Sequence, residues 1–351
     1  MFICNKLKAK MRQSKETSSM ERKGIANRPL AVLPPVLRMG SAALILVLAA
    51  RVNATLDAQL VASGLVMLLV WTISLIWRDY PERRGYEVTF LPVESDGSLD
   101  LHLLEKSIRP DTAIVSVMWA NNETGVLFPL EEIAAICRSK GVLYHTDAVQ
   151  VPGKLKVDVD ELGVDFLSLS AHKLHAPKGV GLLYCRYTAP YHSYVIGGGQ
   201  EKGRRGGTEN VPYIVGFGRA AELAMNSIQD ENTRIRGLRD RLEQTILATI
   251  PDTSRNGGRD ARLPNTSNLV FNGCEAEAIL LMLDREGICA SSGSACTTGS
   301  MAPSHVLTAM GLSPARAKSS VRFSLGIYNT AVEVDYLRSQ EHTSELQSRE
   351  T

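Results

Sequence analysis

FLSLSAHK, residues 166–173, is the stretch on which the interpretation of this chain depends. Its apolar positions from Phe166 predict a short buried strand, and Lys173 follows directly after that strand. A second apolar run, residues 180–184, comes after a turn that contains glycine. We expect a lysine at the end of a buried strand to be shielded from water, which favours the uncharged amine that forms Schiff bases. The stretch therefore predicts a buried, reactive amine at Lys173.

From Gly85 onward the chain alternates between strand and helix patterns. This alternation predicts an α/β fold with a mostly parallel sheet, whose ligand lies at the carboxyl ends of the strands. A long helical region is expected to be interrupted near Asp230 and Gly237. The predicted strands cover residues 86–92, 112–119, 142–145, 166–170, 180–184, 265–271 and 319–325, and the predicted helices cover residues 99–107, 129–140, 213–250, 275–286 and 304–310.

The composition restricts the class of protein. The 351 residues are enough for one large core or two smaller ones. A net charge of +2 and a pI of about 8.2 give no support for a nucleic-acid surface. The six cysteines form no CxxC pair and show no metal-ligand spacing. Free thiols favour a reducing compartment, so we expect the catalytic part to be cytoplasmic and to hold no metal.

The two ends of the chain differ in sequence pattern from its middle. Residues 60–77 carry no ionisable side chain and, as a helix, would reach about 27 Å, which makes them a candidate membrane span. Two other interpretations are open. Residues 60–77 could form a buried helix, or residues 1–84 could be a sequence foreign to this protein. Membrane association is expected only if residues 60–77 form a genuine span. Residues 339–351 have no apolar period and resemble a translated sequencing adapter, so we leave them out of the fold prediction.

Several polar residues lie where a pyridoxal cofactor would need them. Such a cofactor needs a lysine, an acid at the pyridine nitrogen, and donors for its phenolic oxygen and its phosphate. Asp147, in HTDAVQ, is the candidate acid, although it could equally be an ordinary turn aspartate. Asn122, in ANNETG, could likewise be only a turn residue. The candidate donors are Gln150 and Asn122 for the phenolic oxygen, and Ser170 and His172 for the phosphate.

One cysteine stands apart from the others. Cys296 lies in SSGSACTTG, residues 291–299, among hydroxylic side chains and glycines that favour a mobile, exposed loop. A thiol in such a loop can accept sulfur from a substrate. Cys137, Cys185 and Cys289 fit apolar patterns and are expected to be small buried side chains, whereas Cys274 stays undecided.

Together these motifs identify a family. Over about residues 85–338 the chain resembles the cysteine desulfurases of the class V aminotransferase family, and it is most similar to the nitrogen-fixation type. No single motif would be sufficient, but the order and number of the motifs make the resemblance specific. The matching motifs are MWANNETG, HTDAVQ, SAHKLHAPKGVG, GGGQEKGRRGGTEN, SSGSACTTGS, PSHVLTAMG and VRFSLG.

The resemblance implies a fold and a reaction. It implies the type I fold of pyridoxal 5′-phosphate-dependent transferases, with a large domain over residues 85–250 that lacks its amino-terminal part. A smaller α/β domain over residues 251–338 would carry the cysteine loop. The reaction would remove sulfur from L-cysteine, give L-alanine, and leave a persulfide on Cys296. A sulfur-acceptor scaffold protein would then take that sulfur for iron–sulfur cluster assembly or another biosynthetic use.

The resemblance also implies roles for the individual residues. Lys173 would hold the cofactor, Asp147 would face its pyridine nitrogen, and Gln150 its phenolic oxygen. Thr208 resembles the residue that reaches the cofactor phosphate of the neighbouring subunit, which implies a homodimer. The residues implied to contact the phosphate are Ser170 and His172, and those implied to hold the substrate carboxylate are Asn122 and Arg322.

The chain departs from the family pattern in two places. The amino-terminal motifs that hold the phosphate and stack on the ring have no counterpart in residues 1–84, so we expect weak cofactor binding by the chain as written. Ile327 stands where relatives often have arginine. Two alternatives remain open: a selenocysteine lyase or another class V enzyme, and a catalytically dead, membrane-tethered fragment.

Overall fold

The structure is a computed structural model that describes part of the chain, namely residues 2–6, 86–293 and 302–337. The chain divides into two compact units, of which one comprises residues 1–5 and 88–351 and the other residues 6–87. Nearly all described residues belong to the first unit, which contains both sheets described below.

Three predictions lie outside the described residues. These are the candidate span at 60–77, the loop position of Cys296, and the adapter-like tail at 339–351. Where the structure does describe the chain, none of its helices has the length and apolar character needed to cross a membrane.

The first sheet has a parallel centre with antiparallel neighbours. Three central strands pair in parallel, and the flanking strands pair with them antiparallel. The α/β fold is thus confirmed, although the sheet is more mixed than the sequence predicted. The strands, in the spatial order β2-β1-β3-β4-β5-β6, are β1 (Phe2–Lys6), β2 (Tyr86–Phe90), β3 (Thr112–Met118), β4 (Leu143–Asp147), β5 (Phe166–Ser170) and β6 (Gly181–Cys185).

The antiparallel flanks have separate causes. The connection between β5 and β6 covers only residues 171–180, so the chain returns antiparallel, because a parallel neighbour would need a crossover of a dozen residues or more. The strand β1 pairs with β3 over Phe2 to Asn5. No pattern in the sequence predicted β1, because it stands alone ahead of a segment with no strand periodicity.

Eight α-helices have both ends among the described residues, and the longest two of them are joined by a π-helical turn over Glu231–Ile235; residues 331–337 are helical as well. The predicted interruption near Asp230 corresponds to this turn, whereas Gly237 lies inside a regular helix. The helices are α1 (Leu101–Ser107), α2 (Leu130–Ser139), α3 (Val159–Leu162), α4 (Val211–Asp230), α5 (Arg236–Thr249), α6 (Ala276–Arg285), α7 (His305–Ala309) and α8 (Pro314–Lys318).

The helix α2 shows how the helical pattern builds the first core. Its residues Leu130, Ile133, Ala134 and Cys137 recur on one face at helical spacing, and all four are buried. Burial, together with the charge of Asp165, raises the pKa of the Cys137 thiol to about 12. Cys137 is therefore a packing residue, as its apolar pattern predicted.

A second sheet forms the centre of a separate core. Its strands are antiparallel in the order β7-β8-β9, with β7 at Thr253–Arg255, β8 at Thr266–Phe271 and β9 at Ser320–Ser324. Its core contains apolar residues of α5, α6, β8 and β9, among them Ile246, Leu283, Leu269 and Val321. This second core therefore consists of its own strands and helices, packed against each other as layers.

A buried cluster of charges ties α5 to the second sheet. Glu243 is 3% exposed and accepts two hydrogen bonds of 2.6 Å from Arg262, one of 2.9 Å from Arg255 and one of 2.8 Å from Ser267. Burial alone would raise the pKa of this carboxyl. The hydrogen bonds and charge of Arg262, with those of Ser267 and Arg255, outweigh burial and lower the pKa to about 2.

This cluster predicts acid sensitivity. The stability from ionised Glu243 is complete above the ordinary pKa of about 4.3 and is lost as the pH falls towards about 2. Glu243→Gln should lower the free energy of unfolding at pH 7 by roughly 3 kcal/mol, because the buried Arg262 and the half-buried Arg255 lose their counter-charge. Denaturant unfolding of the unmodified chain and the variant at pH 7 and at about pH 2 measures both effects. Glu161→Gln, which breaks an exposed pair with Lys156, is the matched control and should cost less than about 1 kcal/mol.

Candidate active site

The end of β4 places two of the predicted residues. Asp147 is the last residue of the strand and its side chain is exposed. Its Oδ1 accepts a hydrogen bond of 3.0 Å from the backbone N–H of Val149, which holds the carboxylate outward. A turn closed by Val151 N and Ala148 O then brings the half-buried Gln150 to the same strand end.

The end of β5 positions three more of the predicted site residues, namely Ser170, His172 and Lys173. A 3₁₀ turn over Ala171–Leu174 follows the strand directly. The Oγ of Ser170 lies 2.7 Å from Nδ1 of His172, so these two side chains form one polar unit. Lys173 follows in the same turn.

The prediction that Lys173 is buried is wrong for the described structure. In the 3₁₀ turn, Ala171 and Leu174 lie three residues apart on one side and are buried, at 0% and 7% exposure. His172 and Lys173 lie on the other side and are exposed. The lysine follows the strand as predicted, but the period of the turn directs it outward.

The pairing of β4 with β5 brings both groups to one edge of the sheet. The strands are parallel, with Asp147 opposite Ser168, and Ala148 N donates to Ser168 O over 3.1 Å. Because the carboxyl ends of parallel neighbours coincide, the acid and the lysine lie on adjacent strand ends. No ion pair joins Asp147 to Lys173 within the described part of the chain.

A histidine on this face was missed by the sequence analysis. The ring of His145 lies between two serines, with Nδ1 2.7 Å from the Oγ of Ser116 and Nε2 2.7 Å from the Oγ of Ser168. Burial lowers the pKa of His145, and the charge of Asp147 opposes this only partly. The side chains of Ser116, His145 and Ser168 form a row across β3, β4 and β5, on the same face of the sheet as Asp147. Two-residue spacing in HTD is the pattern that could have revealed it.

The ANNETG segment forms a closed turn after β3. The Oδ1 of Asn121 accepts hydrogen bonds from the backbone N–H groups of Glu123 and Thr124, both at 2.9 Å. Gly125 has φ +76°, and a Cβ there would lie 3.0 Å from Thr266, so this position needs glycine. The turn is joined to the strand edge by Trp119 N, which donates to Asp147 O over 2.8 Å.

Arginine from the second sheet reaches this turn. Nη1 of Arg322, on β9, donates to the backbone oxygen of Asn122 over 2.9 Å. The structure thus brings Asn122 and Arg322 together, as the family resemblance implied. Both side chains are half-buried, so both keep access to a small ligand.

A second lysine lies close to Lys173 and was also missed. Burial lowers the pKa of Lys154, the charge of Glu231 raises it, and the charge of Lys173 lowers it further. Glu231 is 5% exposed and begins the π-helical turn. Asn232, next in that turn, donates to the backbone oxygen of Lys154 over 2.5 Å. The sequence offered no pattern for this cluster, since its members are far apart in the chain.

The remaining candidates are not joined to this site by described contacts. Thr208 is exposed in the loop before α4, and no contact among the described residues links it to Lys173. The prediction of a buried Cys289 is wrong, because this thiol is exposed in the segment that follows α6. Cys185 and Cys274 are half-buried, and Cys296 lies outside the described residues.

Comparison with known proteins gives the family. The family model described as aminotransferase class V matches residues 66–337. A cysteine desulfurase of Nostoc sp. (strain PCC 7120) is 53% identical over 254 residues, which are 72% of this chain and 64% of that protein. The chain therefore spans just under two thirds of that relative's length.

Solved structures agree with this result. A NifS-like protein matches with a TM-score of 0.70 and 36% identity, over 78% of this chain and 72% of the other. The structure of SspA in complex with cysteine matches with a TM-score of 0.62 and 36% identity, over 73% and 71%. These values confirm the α/β fold predicted from the sequence.

The state of His145 can be tested directly. Because burial lowers its pKa below the ordinary value of about 6.5, the imidazole should be neutral at pH 6.5 and titrate only in more acidic solution. The stability it contributes is complete above pH 6.5 and is lost as the pH falls through the lowered pKa. ¹⁵N chemical shifts of the ring, assigned with a His145→Gln variant, measure this. A titration midpoint above 6.5 would contradict the burial.

Proposed function

This chain belongs to the class V aminotransferase family, and we propose that it acts as a pyridoxal 5′-phosphate-dependent cysteine desulfurase. The observation that carries the proposal is the pair of adjacent strand ends that present Lys173 and Asp147. In support, the relatives at about half identity are named cysteine desulfurases. The substrate would be L-cysteine and the products L-alanine and a persulfide on Cys296.

The residues at the strand ends fit the proposed cofactor. An exposed amine and an exposed carboxylate lie on neighbouring strand ends with no ion pair between them in the described chain, so both are available to a ligand. The Ser170–His172 unit beside the lysine offers polar atoms for a phosphate. Gln150 completes a donor set whose chemistry matches that of the pyridoxal ring.

Each of these residues would have a separate task. Lys173 would hold the cofactor covalently through Nζ and, when released, would take the α-proton of the substrate at the same atom. Asp147 would keep the pyridine nitrogen protonated. Ser170 and His172 would bind the phosphate, and Gln150 would donate to the phenolic oxygen. The bound cofactor would supply an electron sink for the charge left by proton removal.

Asn122 and Arg322 would orient the substrate. A guanidinium group binds both oxygens of a carboxylate at once, which fixes the direction of the rest of an amino acid. The hydrogen bond from Arg322 to the Asn122 backbone holds the guanidinium at the ANNETG turn. That turn is hydrogen-bonded to Asp147 through Trp119, so substrate and cofactor residues share one support.

Cys296 would accept the sulfur. Its thiolate would attack the substrate sulfur, forming an S–S bond while the Cβ–S bond breaks. The electron pair of the broken bond would remain with the carbon skeleton, which would gain a proton at Cβ and regain the α-proton from Lys173 to give L-alanine. An acceptor scaffold protein would then take the outer sulfur of the persulfide for iron–sulfur clusters or another pathway.

We also propose the domain organisation and the dimer. Residues 85–250 would form a partial cofactor-binding domain and residues 251–338 a smaller domain with the cysteine loop. The start of α4 exposes a group of apolar side chains, as a homodimer interface would require. These are Val211, Tyr213, Ile214 and Val215, which are 59%, 42%, 43% and 65% exposed. Thr208 precedes this surface in the chain and would then face the partner's cofactor.

Replacement of Lys173 tests the function. The full chain, mixed with an excess of pyridoxal 5′-phosphate because its binding is expected to be weak, should show the visible absorption of the bound cofactor and release sulfide from L-cysteine. Lys173→Ala should lose both, because the covalent bond to the cofactor needs an amine at the end of β5, next to the strand end that carries Asp147. Lys178→Ala, which changes an exposed lysine in the same connection between β5 and β6, is the matched control and should retain both.

Three outcomes would separate the alternatives. Bound cofactor in Lys173→Ala would contradict the role of the lysine. Turnover of L-selenocysteine, but not L-cysteine, that survives Cys296→Ala would support a selenocysteine lyase. No cofactor binding by the unmodified chain would support a catalytically dead fragment.

The proposed dimer gives a second test. Val215→Glu places a charge in the exposed apolar group and should shift the chain from dimer to monomer in light scattering. Leu281→Glu, on α6, is the matched control, since this leucine is 69% exposed and lies outside the group. A Val215→Glu chain that stays dimeric would contradict this interface.

A further inference from the structure

The ANNETG turn contains a buried carboxylate for which the proposed mechanism has no task. Glu123 is 1% exposed, although it lies between Asn122 and the glycine end of the turn. Its backbone is fully fixed, since its N–H donates to Asn121 over 2.9 Å and its oxygen accepts from Nδ2 of Asn268 over 3.2 Å. Removing a carboxylate from water is costly, so its surroundings should explain why it is there.

Among the described residues, only one of the two carboxylate oxygens has a hydrogen-bond partner. Oε2 accepts a hydrogen bond of 2.5 Å from the Oγ of Ser304. Oε1 is buried and accepts no hydrogen bond within the described part of the chain. A buried acceptor without a partner destabilises a fold by about 1–3 kcal/mol. A side chain placed only for stability would therefore be better as an amide or an apolar residue.

The contacts of Glu123 lie on both sides of the cysteine-bearing segment. Ser304 follows that segment and caps α7 by accepting from Leu307 N over 3.2 Å. Gly293 precedes the segment, and a Cβ on it would lie 3.6 Å from Glu123 Oε2 and 3.6 Å from Ser304 Cβ. The carboxylate is thus hydrogen-bonded to a residue after positions 294–301 and lies close to the residue before them.

We propose that Glu123 is a positioning residue that fixes Ser304 close to Gly293 and thereby sets the reactivity of the Cys296 thiol. The inference rests on the proposed function for its biological meaning, since it concerns the same cysteine. Its physical content is independent of cofactor and substrate. Glu123 would act through Ser304 and Gly293, without touching the substrate itself.

The test compares the alkylation rates of two thiols in one chain. The full-length chain, without cofactor, is treated with iodoacetamide, and peptide mass spectrometry gives the rates at Cys296 and Cys289. Cys289 is exposed and serves as the internal reference. Glu123→Ala and Ser304→Ala should each change the Cys296-to-Cys289 ratio by about threefold or more, in the same direction, because both break one hydrogen bond.

The double variant identifies the shared contact. If Glu123 and Ser304 act through one bond, the double variant should change the ratio no more than the larger single change. Ser313→Ala is the matched control, because it removes the hydroxyl cap of the neighbouring helix α8 and leaves Glu123 untouched. Glu132→Ala, on the exposed face of α2, controls for loss of an acid. Both controls should leave the ratio unchanged.

Two results would overturn the proposal. One is a ratio in Glu123→Ala within about 1.5-fold of the unmodified chain, which is less than one hydrogen bond would give. The other is a double variant in which the Cys296-to-Cys289 ratio changes by the product of the two single changes. If Glu123→Ala does not fold, Glu123→Leu keeps a similar volume and removes both acceptor oxygens, and the same limits apply to it. Because alkylation needs no cofactor, loss of desulfurase activity leaves this test intact.

Discussion

The parallel pairing of β4 with β5 is the constraint on which the site depends. It sets Asp147 opposite Ser168 and thereby places the following turn, with Lys173, beside the carboxylate. Asp147 and Lys173 are the reference points for the positions of the other candidate residues. A slip of one residue would turn Asp147 to the opposite face of the sheet. The row formed by Ser116, His145 and Ser168 opposes such a slip, because its hydrogen bonds link all three strands on the face of Asp147.

The second sheet contributes to the site through one turn of the first. Arg322 donates to the backbone of Asn122, and Asn268 donates to the backbone of Glu123. The turn is closed by Asn121 and passes through Gly125 at positive φ, where Thr266 of β8 lies against it. Two cores with separate strands thus meet at a segment of five residues. The Glu243 cluster supports the same region, because Arg262 is bonded to Glu243 and bridges Val126 next to the turn.

The sequence predicted the strands and helices, and which site residues follow them, better than it predicted which side chains are exposed. Strand and helix periodicity located β3, β4 and β5, and motif order located Asp147 and Lys173 at their ends. Exposure of Lys173 depends on the period of a four-residue 3₁₀ turn, which apolar patterning does not record. The clusters around His145 and Lys154 depend on pairing between distant segments. Cys289 was expected to be buried because it continues an apolar run, but α6 ends at Arg285, before it.

The account's central claim concerns which amine reacts. The most direct measurement is to incubate the full chain with pyridoxal 5′-phosphate, reduce it with borohydride, and map the modified lysine by peptide mass spectrometry. The account predicts a single principal adduct on Lys173, with Lys154 and Lys178 unmodified. A principal adduct on another lysine, or modification spread equally over the exposed lysines, would contradict it.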